Sequence, residues 1–542
     1  MKFINIPSLN TIILKKGQRS LRSDLKAHLN LKRTNRLPRI KEIKRVIDKT
    51  PCIERGSYSA LIFGAATGEA EMVVRQFLLR SVIENKINRV LINAIGNHSP
   101  VAYPLPEKWI GLLKNEGLPV SAIRSKITFI FFVLMRFGLG VLAIIKIFCQ
   151  SVIATVSKKK EAYGNYVFFD SLGELNLPKK EPREPGYDII SWYEKWNGRI
   201  PVIDRFVHTA SQKEPLVAGT IPVITISSFV PPLHGFGKLM QYAWWGCKAI
   251  LLSVFDLLRN RWWHALLLEE AAKSAMVRMH ETKDLAREYL FHNSLWIYRP
   301  LWTYDAEKAG SGITFYFYST NVEPLKYRER YEDPHVGWRT ATWPHYLVWD
   351  EYQAEFVRTS VEKNVNISVA GPISFHAGAG VLPALPENAI AVFDVQPMRE
   401  GFYYTIGADF DYYVPENCIS FLADIYSSVQ KHHASIIYKR KRKIGNKVHY
   451  RYRNQVNTLE NAPGFISIDA DLPAQLVIEN CVAVISMPFT ATALVGKKLG
   501  KPSVFYDPHG QLQKDDKAAH GIEVLSGPAE LDNWIDSVMK NN

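Results

Sequence analysis

The chain has 542 residues, 47% of them apolar and 22% charged, with 67 Lys/Arg against 52 Asp/Glu for a formal charge of +15. That composition belongs to a folded globular protein, and the length exceeds one ordinary core, so two or three domains are expected. Five scattered cysteines without a C-x-x-C pair argue against a disulfide framework and a zinc site, and no DNA- or RNA-reading motif is present, so nucleic acid is not expected as a partner.

Residues 1–55 read as a basic arm. The first fifty hold fourteen Lys/Arg and only three acids, Asp24, Glu42 and Asp48, so they carry +11 of the total charge. Such asymmetry points to an anionic partner, and a membrane surface fits it best. No apolar h-region of a signal peptide opens the chain, so the cytoplasm is the expected compartment.

A first α/β series is expected over residues 56–370. SALIFGAATGE (59–69) reads as a strand running into a turn and helix, RVLINAIG (89–96) as a second strand and YVFFDSLG (166–173) as a third. PVITISSF (222–229), GITFYFYST (312–320), HYLVWDEYQAEFVRTSV (345–361) and NISVAGPISF (366–375) continue the alternation, with Asp350-Glu351 opening a helix. Strands alternating with helical patterns imply a mainly parallel sheet. Into this series is inserted a 30-residue apolar stretch, 127–156, long enough to span a bilayer but interrupted by Arg136 and Lys146. At about 100° per residue, Thr128, Arg136, Lys146 and Gln150 share one sector about 80° wide, which suits a helix lying in the interface. A buried core helix is the alternative. The stretch 239–268, with paired tryptophans near both ends, reads as a second interfacial helix or as a packing helix.

GPISFHAGAGVLPALPEN (371–388) reads as a linker. Beyond it, residues 389–542 form a second series: IAVFDVQP (390–397), a helix over 416–432, HASIIYKRKRK (433–443), FISIDADLPAQLVIENC (465–481), VAVIS (482–486), a helix to Leu499 and PSVFYD (502–507). The fold class is therefore α/β, two Rossmann-like doubly wound domains with a helical, membrane-associating insertion in the first.

In such sheets ligands sit off the carboxyl ends of strands. Ser486 ends one strand, and Thr490 and Thr492 stand where the next helix begins. A helix start offers free N–H groups and positive potential, and the hydroxyls can complete a phosphate cradle. Capping by Thr490 alone would explain one of the three. The loop is neither a Walker motif nor a G-x-G-x-x-G fingerprint.

SMPFTATALVGKKLGKPSVFYD, together with LVWDEYQAEF, NISVAGPISF, VFDVQP and the D-x-x-LPAQLVIENC helix, resembles bacterial polysaccharide-biosynthesis proteins named for a Pro-Phe-Thr-Ser motif. Here the motif reads Pro488-Phe489-Thr490-Ala491, without the family's serine. The resemblance implies a domain pair similar to GT-B glycosyltransferases, with a nucleotide-sugar donor held at Ser486, Pro488, Phe489, Thr490 and Thr492. Between Ser486 and Leu499 there is no acid of the kind UDP-sugar enzymes of that fold use to grip ribose, which tilts the donor toward a CMP-activated ulosonic acid.

Catalysis of that type implies no metal and no cofactor. Positive charge stabilises the leaving phosphate and a carboxylate or His deprotonates the acceptor. Lys439 and Arg440, with Arg399 and Gln396, are the candidates for the donor side, and His509 for contact with the nucleotide. Glu69 is the first candidate base, with Asp170 and His234 as rivals. The expected function is a glycosyltransferase of surface polysaccharide (capsule or O-antigen) biosynthesis, peripheral to the inner face of the cell membrane and acting on a lipid-linked glycan acceptor. A nucleotide-sugar epimerase or a non-catalytic nucleotide- or glycan-binding scaffold are the alternatives.

Overall fold

The computed structural model describes most of residues 46–541. Outside it lie residues 1–45, 81–101 and 399–411, with shorter stretches at 158–161, 173–175, 179–187, 198–204, 209–215, 294–297, 374–381 and 441–444 and a few single positions and pairs. Most of the basic arm, the strand expected over 89–96, Arg399 and the middle of the linker fall in those stretches.

The first domain is built on β1 (Tyr166–Phe169), β2 (Arg205–His208), β3 (Leu216–Ala218), β4 (Ile221–Thr225), β5 (Glu288–His292), β6 (Gly312–Tyr316), β9 (His345–Val348) and β10 (Asn366–Val369), with β7 (Lys326–Tyr327) and β8 (Arg330–Tyr331) as a separate small hairpin. Their order is β10-β9-β6-β5-β1-β2-β4-β3, and every pairing is parallel except β3 with β4. The second sheet, β11 (Ala389–Phe393), β12 (Ser435–Lys439), β13 (Phe465–Ile468), β14 (Ala483–Ser486), β15 (Ser503–Asp507) and β16 (Glu523–Ser526), is parallel throughout, ordered β13-β12-β11-β14-β15-β16. This is the doubly wound order in which the chain reverses direction at its first strand. The first sheet reverses between β1 and β5, the second between β11 and β14.

Covering helices used below are α1 (Ala122–Val156), α2 (Phe236–Leu258), α3 (Leu268–Arg278), α4 (Trp302–Lys308), α5 (Glu351–Ser360) and α6 (Ala491–Lys498). As expected, Asp350 caps α5, accepting from the Gln353 amide at 3.0 Å. The stretch 59–69 departs from expectation. Ser59 caps a single helical turn, Ala60–Phe63, its hydroxyl accepting from the Leu61 amide, and a 3₁₀ segment Gly64–Glu69 follows. Ile62 and Phe63 are fully buried as helix residues rather than as a strand; so short an apolar run fits either element by periodicity.

The two domains meet where loops after β6 and β9 reach the crossover that joins β15 to β16. Lys326 donates its amide to Asp516 at 2.7 Å, and the Lys517 amide donates to the Tyr331 hydroxyl at 2.6 Å. At the centre of this contact His520 of the second domain stands between Asp350 (2.7 Å) and Glu323 (3.0 Å) of the first. Burial disfavours a charged imidazole, but the hydrogen bonds and charges of the two carboxylates outweigh it and push His520 up to about 9. A folded-state value above the ordinary 6.5 means that this stabilisation is complete below about pH 6.5 and is lost as pH climbs through 9. Thermal melts are therefore expected to lose about 3 kcal/mol across that window, a decline that His520→Asn should largely flatten. An unchanged slope in the variant would show that His520 does not carry it.

Candidate functional site

The strand–helix junction after β14 is shaped by its own sequence. Pro488 and Phe489 are the central residues of a turn closed by the Thr490 amide on the Met487 carbonyl at 3.3 Å. Pro at the first central position presets its φ, and the second requires positive φ. Phe489 takes that place at φ 62°, an uncommon conformation for a bulky side chain. Its ring is buried edge-on to Phe505, centroids 5.6 Å apart, which holds it there. The Pro488 carbonyl accepts from the Tyr413 hydroxyl at 2.8 Å. Pro-Phe-Thr is thus a locked turn that presents Thr490 at the N-cap of α6.

Thr490 does not cap that helix through its side chain; its hydroxyl donates back to the Met487 carbonyl at 2.8 Å. Ser486 and Thr492 hydroxyls are 2.8 Å apart, with Thr490 and Thr492 at 3.3 Å. The three hydroxyls form one network over the amino end of α6, and capping does not account for it. Close packing keeps the helix against the strand: a Cβ on Gly496 would stand 2.8 Å from Val484.

Beside this knot, across the switch point, lies Asp394, the first residue after β11 and register neighbour to Met487. It is buried, and its Oδ2 accepts from the hydroxyls of Tyr438 (2.9 Å) and Tyr452. Its Oδ1 has no hydrogen-bond partner among the described residues. Burial, partly offset by the two tyrosine donors and by Arg440, pushes its carboxyl up to about 6. Asp507, the last residue of β15, is also buried and accepts from Tyr412 Oη (2.9 Å) and the Leu512 amide (2.7 Å).

The cationic candidates are placed differently from one another. Lys439 is buried at the end of β12, its Nζ donating to the carbonyls of Arg440 and Ala470 at 3.2 Å each. Arg440 pairs with Glu460 at 3.4 Å. Gln396 is half-buried two residues beyond Asp394, and His509 is exposed, its backbone amide on Asp507 Oδ1. Arg399 lies outside the described residues.

In the first domain the switch point has Asp170 and His292 at the carboxyl ends of β1 and β5. Asp170 is buried, its amide donating to the Leu290 carbonyl at 2.9 Å. His292 is buried against Tyr316 and Tyr318, ring centroids 5.6 and 5.9 Å away. Burial, with Tyr318 and the Asp170 charge, pushes the Tyr316 hydroxyl well above its ordinary value. The Asp170 charge thus reaches Tyr316, which packs against His292, at the end of the sheet where a parallel sheet places its ligands.

The other two first-domain candidates are not brought there. Glu69 closes the 3₁₀ segment in the helical layer, where its charge acts on Tyr304 of α4. His234 lies in a loop whose neighbours Leu233 and Gly235 donate amides to Ser151 and Thr155 of α1. That loop packs toward the amino ends of the strands, because Pro231 accepts from His280 and Lys238 pairs with Asp284, both just before β5.

His292 and Asp394 were missed from the sequence. Each ends an apolar run, EYLFH and AVFD, and that pattern was the available signal.

Residues 245–535 match the polysaccharide biosynthesis PFTS motif family. The chain belongs to that family. The match takes in the locked turn, the hydroxyl knot, Asp394 and His292, and it starts beyond Asp170. Comparison with curated proteins finds no match. Among solved structures, the chain is similar to UDP-GlcNAc 2-epimerase from Methanocaldococcus jannaschii (9% identity, 69% of this chain and 91% of that one, TM-score 0.35). It is also similar to the wall teichoic acid polymerase TagF (11% identity, 75% and 90%, TM-score 0.35) and the calicheamicin glycosyltransferase CalG4 (10% identity, 69% and 90%, TM-score 0.31).

Proposed function

We propose that this PFTS-motif protein is a glycosyltransferase of surface polysaccharide (capsule or O-antigen) biosynthesis, taking a sugar from a nucleotide donor to a lipid-linked glycan at the cytoplasmic face of the cell membrane. The observation that carries the reading is the three-hydroxyl network of Ser486, Thr490 and Thr492 over the amino end of α6, at the switch point of the second sheet. Hydroxyls and free helix amides bind a phosphate without metal. Asp394 Oδ1 is an acceptor for a nucleoside hydroxyl or amine, and a charge-matched role for Lys439 is to offset the departing phosphate. On the acceptor side Asp170, in the company of His292, takes the hydroxyl proton as the bond to the sugar forms. The knot's lack of any acid supports a CMP-activated ulosonic acid as donor.

Calorimetric titration with CMP, UDP, CDP and GDP tests it. One nucleotide is expected to bind selectively, and Thr490→Ala/Thr492→Ala to weaken it by about tenfold or more, since hydrogen bonds to charged groups contribute about 1.5–3 kcal/mol each. Selective UDP binding keeps the transferase and removes the CMP preference. Binding untouched by the double substitution overturns the site.

A further inference from the structure

Neither α1 nor α2 behaves as an ordinary covering helix. One face of α1 is buried along its length, from Ser125 through Val133 and Ile144 to Ala154. A Cβ on Gly140 would stand 2.9 Å from the Glu269 backbone of α3, and one on Gly246 of α2 would stand 2.8 Å from Ile144. Arg136, which interrupts the apolar stretch, turns inward to Glu269 at 2.7 Å and over the Phe77 ring. A helix fastened sideways to a folded domain over 35 residues, about 50 Å at 1.5 Å per residue, cannot be ringed by lipid.

The opposite side is bare and apolar. Phe131 is 70% exposed, Leu142 62% and Ile153 68% on α1; Trp244 is 64%, Leu251 70% and Leu258 84% on α2. Because the helices touch at Ile144 and Gly246, these side chains make one surface, far more than single exposed hydrophobics on a monomer. Its charges have one sign. α1 contains no acid, and the single acid of α2, Asp256, is buried on His264 at 2.6 Å. Lys248 lies over Trp244 (4.7 Å) and Arg259 over Phe255 (3.8 Å), each a cation held at the edge of apolar surface. Where the start of α1 meets the end of α2 there is a cavity of about 340 Å³, lined by Leu105, Ile110, Phe129, Val133, Leu257 and Trp262, with Lys126 at its rim beside Glu107.

We infer that this two-helix face seats the protein in the plane of an anionic phospholipid bilayer, and that the cavity takes one acyl chain whose headgroup phosphate meets Lys126. The occupant is argued from charge: two apolar helices whose exposed charges are all cationic, with Glu107 at the cavity rim paired to Lys126, in a chain whose first fifty residues carry +11, complement anionic lipid. The inference deepens the membrane part of the proposed function and is independent of the donor site.

The full-length protein is tested by flotation with phosphatidylcholine vesicles, with and without phosphatidylglycerol, the latter lipid carrying a diazirine in its acyl chain. Binding is expected only with phosphatidylglycerol, with photolabel on peptides around 105–110, 123–134 and 257–262. Trp244→Glu/Leu251→Glu should weaken vesicle binding about tenfold or more while its nucleotide titration stays unchanged, which separates failure here from failure of the donor site. Ile130→Trp, at the cavity wall, should lose the label and keep vesicle binding. Failure to float, equal binding to neutral vesicles, or a soluble dimer that Trp244→Glu/Leu251→Glu converts to monomer would overturn the inference. So would displacement of the label by an isoprenyl phosphate.

Discussion

Replacing Asp170 by Asn is expected to lower turnover by about a hundred- to ten-thousand-fold, the span a positioned general base supplies, while donor affinity stays within about twofold. Asn keeps the volume and the acceptor oxygen but cannot take a proton. Asp170 is buried at the reversal between β1 and β5, with its charge felt by Tyr316, whereas the donor residues sit on another sheet. The two readouts should therefore separate. Nucleotide release with a membrane extract as acceptor source gives turnover, and calorimetry gives affinity. A variant that loses binding and melting temperature together would make Asp170 structural. Full activity in it, with loss in His292→Gln, would move the base to His292.

The second large effect is on stability. Gly64→Ala is expected to cost about 3–5 kcal/mol, the range for leaving a buried charge unpaired, and to lower the melting temperature of the first domain by about 8 °C or more. Gly64 has φ 54° and ψ −127°, which side chains avoid. A Cβ there would stand 2.1 Å from Arg278 Nη1 and 2.4 Å from Asp305 Oδ2. Those two groups are an ion pair at 2.9 Å, with Asp305 buried and also holding the Ala65 amide at 2.8 Å and the Ser274 hydroxyl. Arg278 in turn holds the Leu61 carbonyl at 3.0 Å. The methyl group must displace the guanidinium and strand the carboxylate. Gly68→Ala, on the same segment, meets nothing within 4 Å and should leave the melting temperature unchanged. Equal effects from the two would refute the argument.

Much of this was legible in the residues because parallel strands buried on both faces are continuous apolar runs that end abruptly. AVISMPFT could be read as strand, turn and helix, and its hydroxyls as a cluster. The central strand β5 was not legible: EYLFH lies among aromatics with no Gly or Pro to bound it, and periodicity cannot separate so short a run from helix. Its loss concealed His292. Asp394 was passed over for Gln396 and Arg399 because a strand's last polar residue looks like any loop residue until the order of the strands is known. The misplacement of Glu69 has the same root, since ALIF alone carries no signal that Gly64 exists to admit an ion pair from far along the chain. Arg136 stood out in the apolar stretch, but its partner Glu269, 133 residues away, could not be read from the sequence.

The carboxylates around His520 belong to one domain and the imidazole to the other. Any swing of one domain away from the other at that contact must part a buried cation from its anions, so such a motion would be coupled to a proton. Alkaline conditions would loosen the contact while the resting protein grows less stable. Over that range, freedom of the two domains and durability of the fold would trade against each other through a single imidazole.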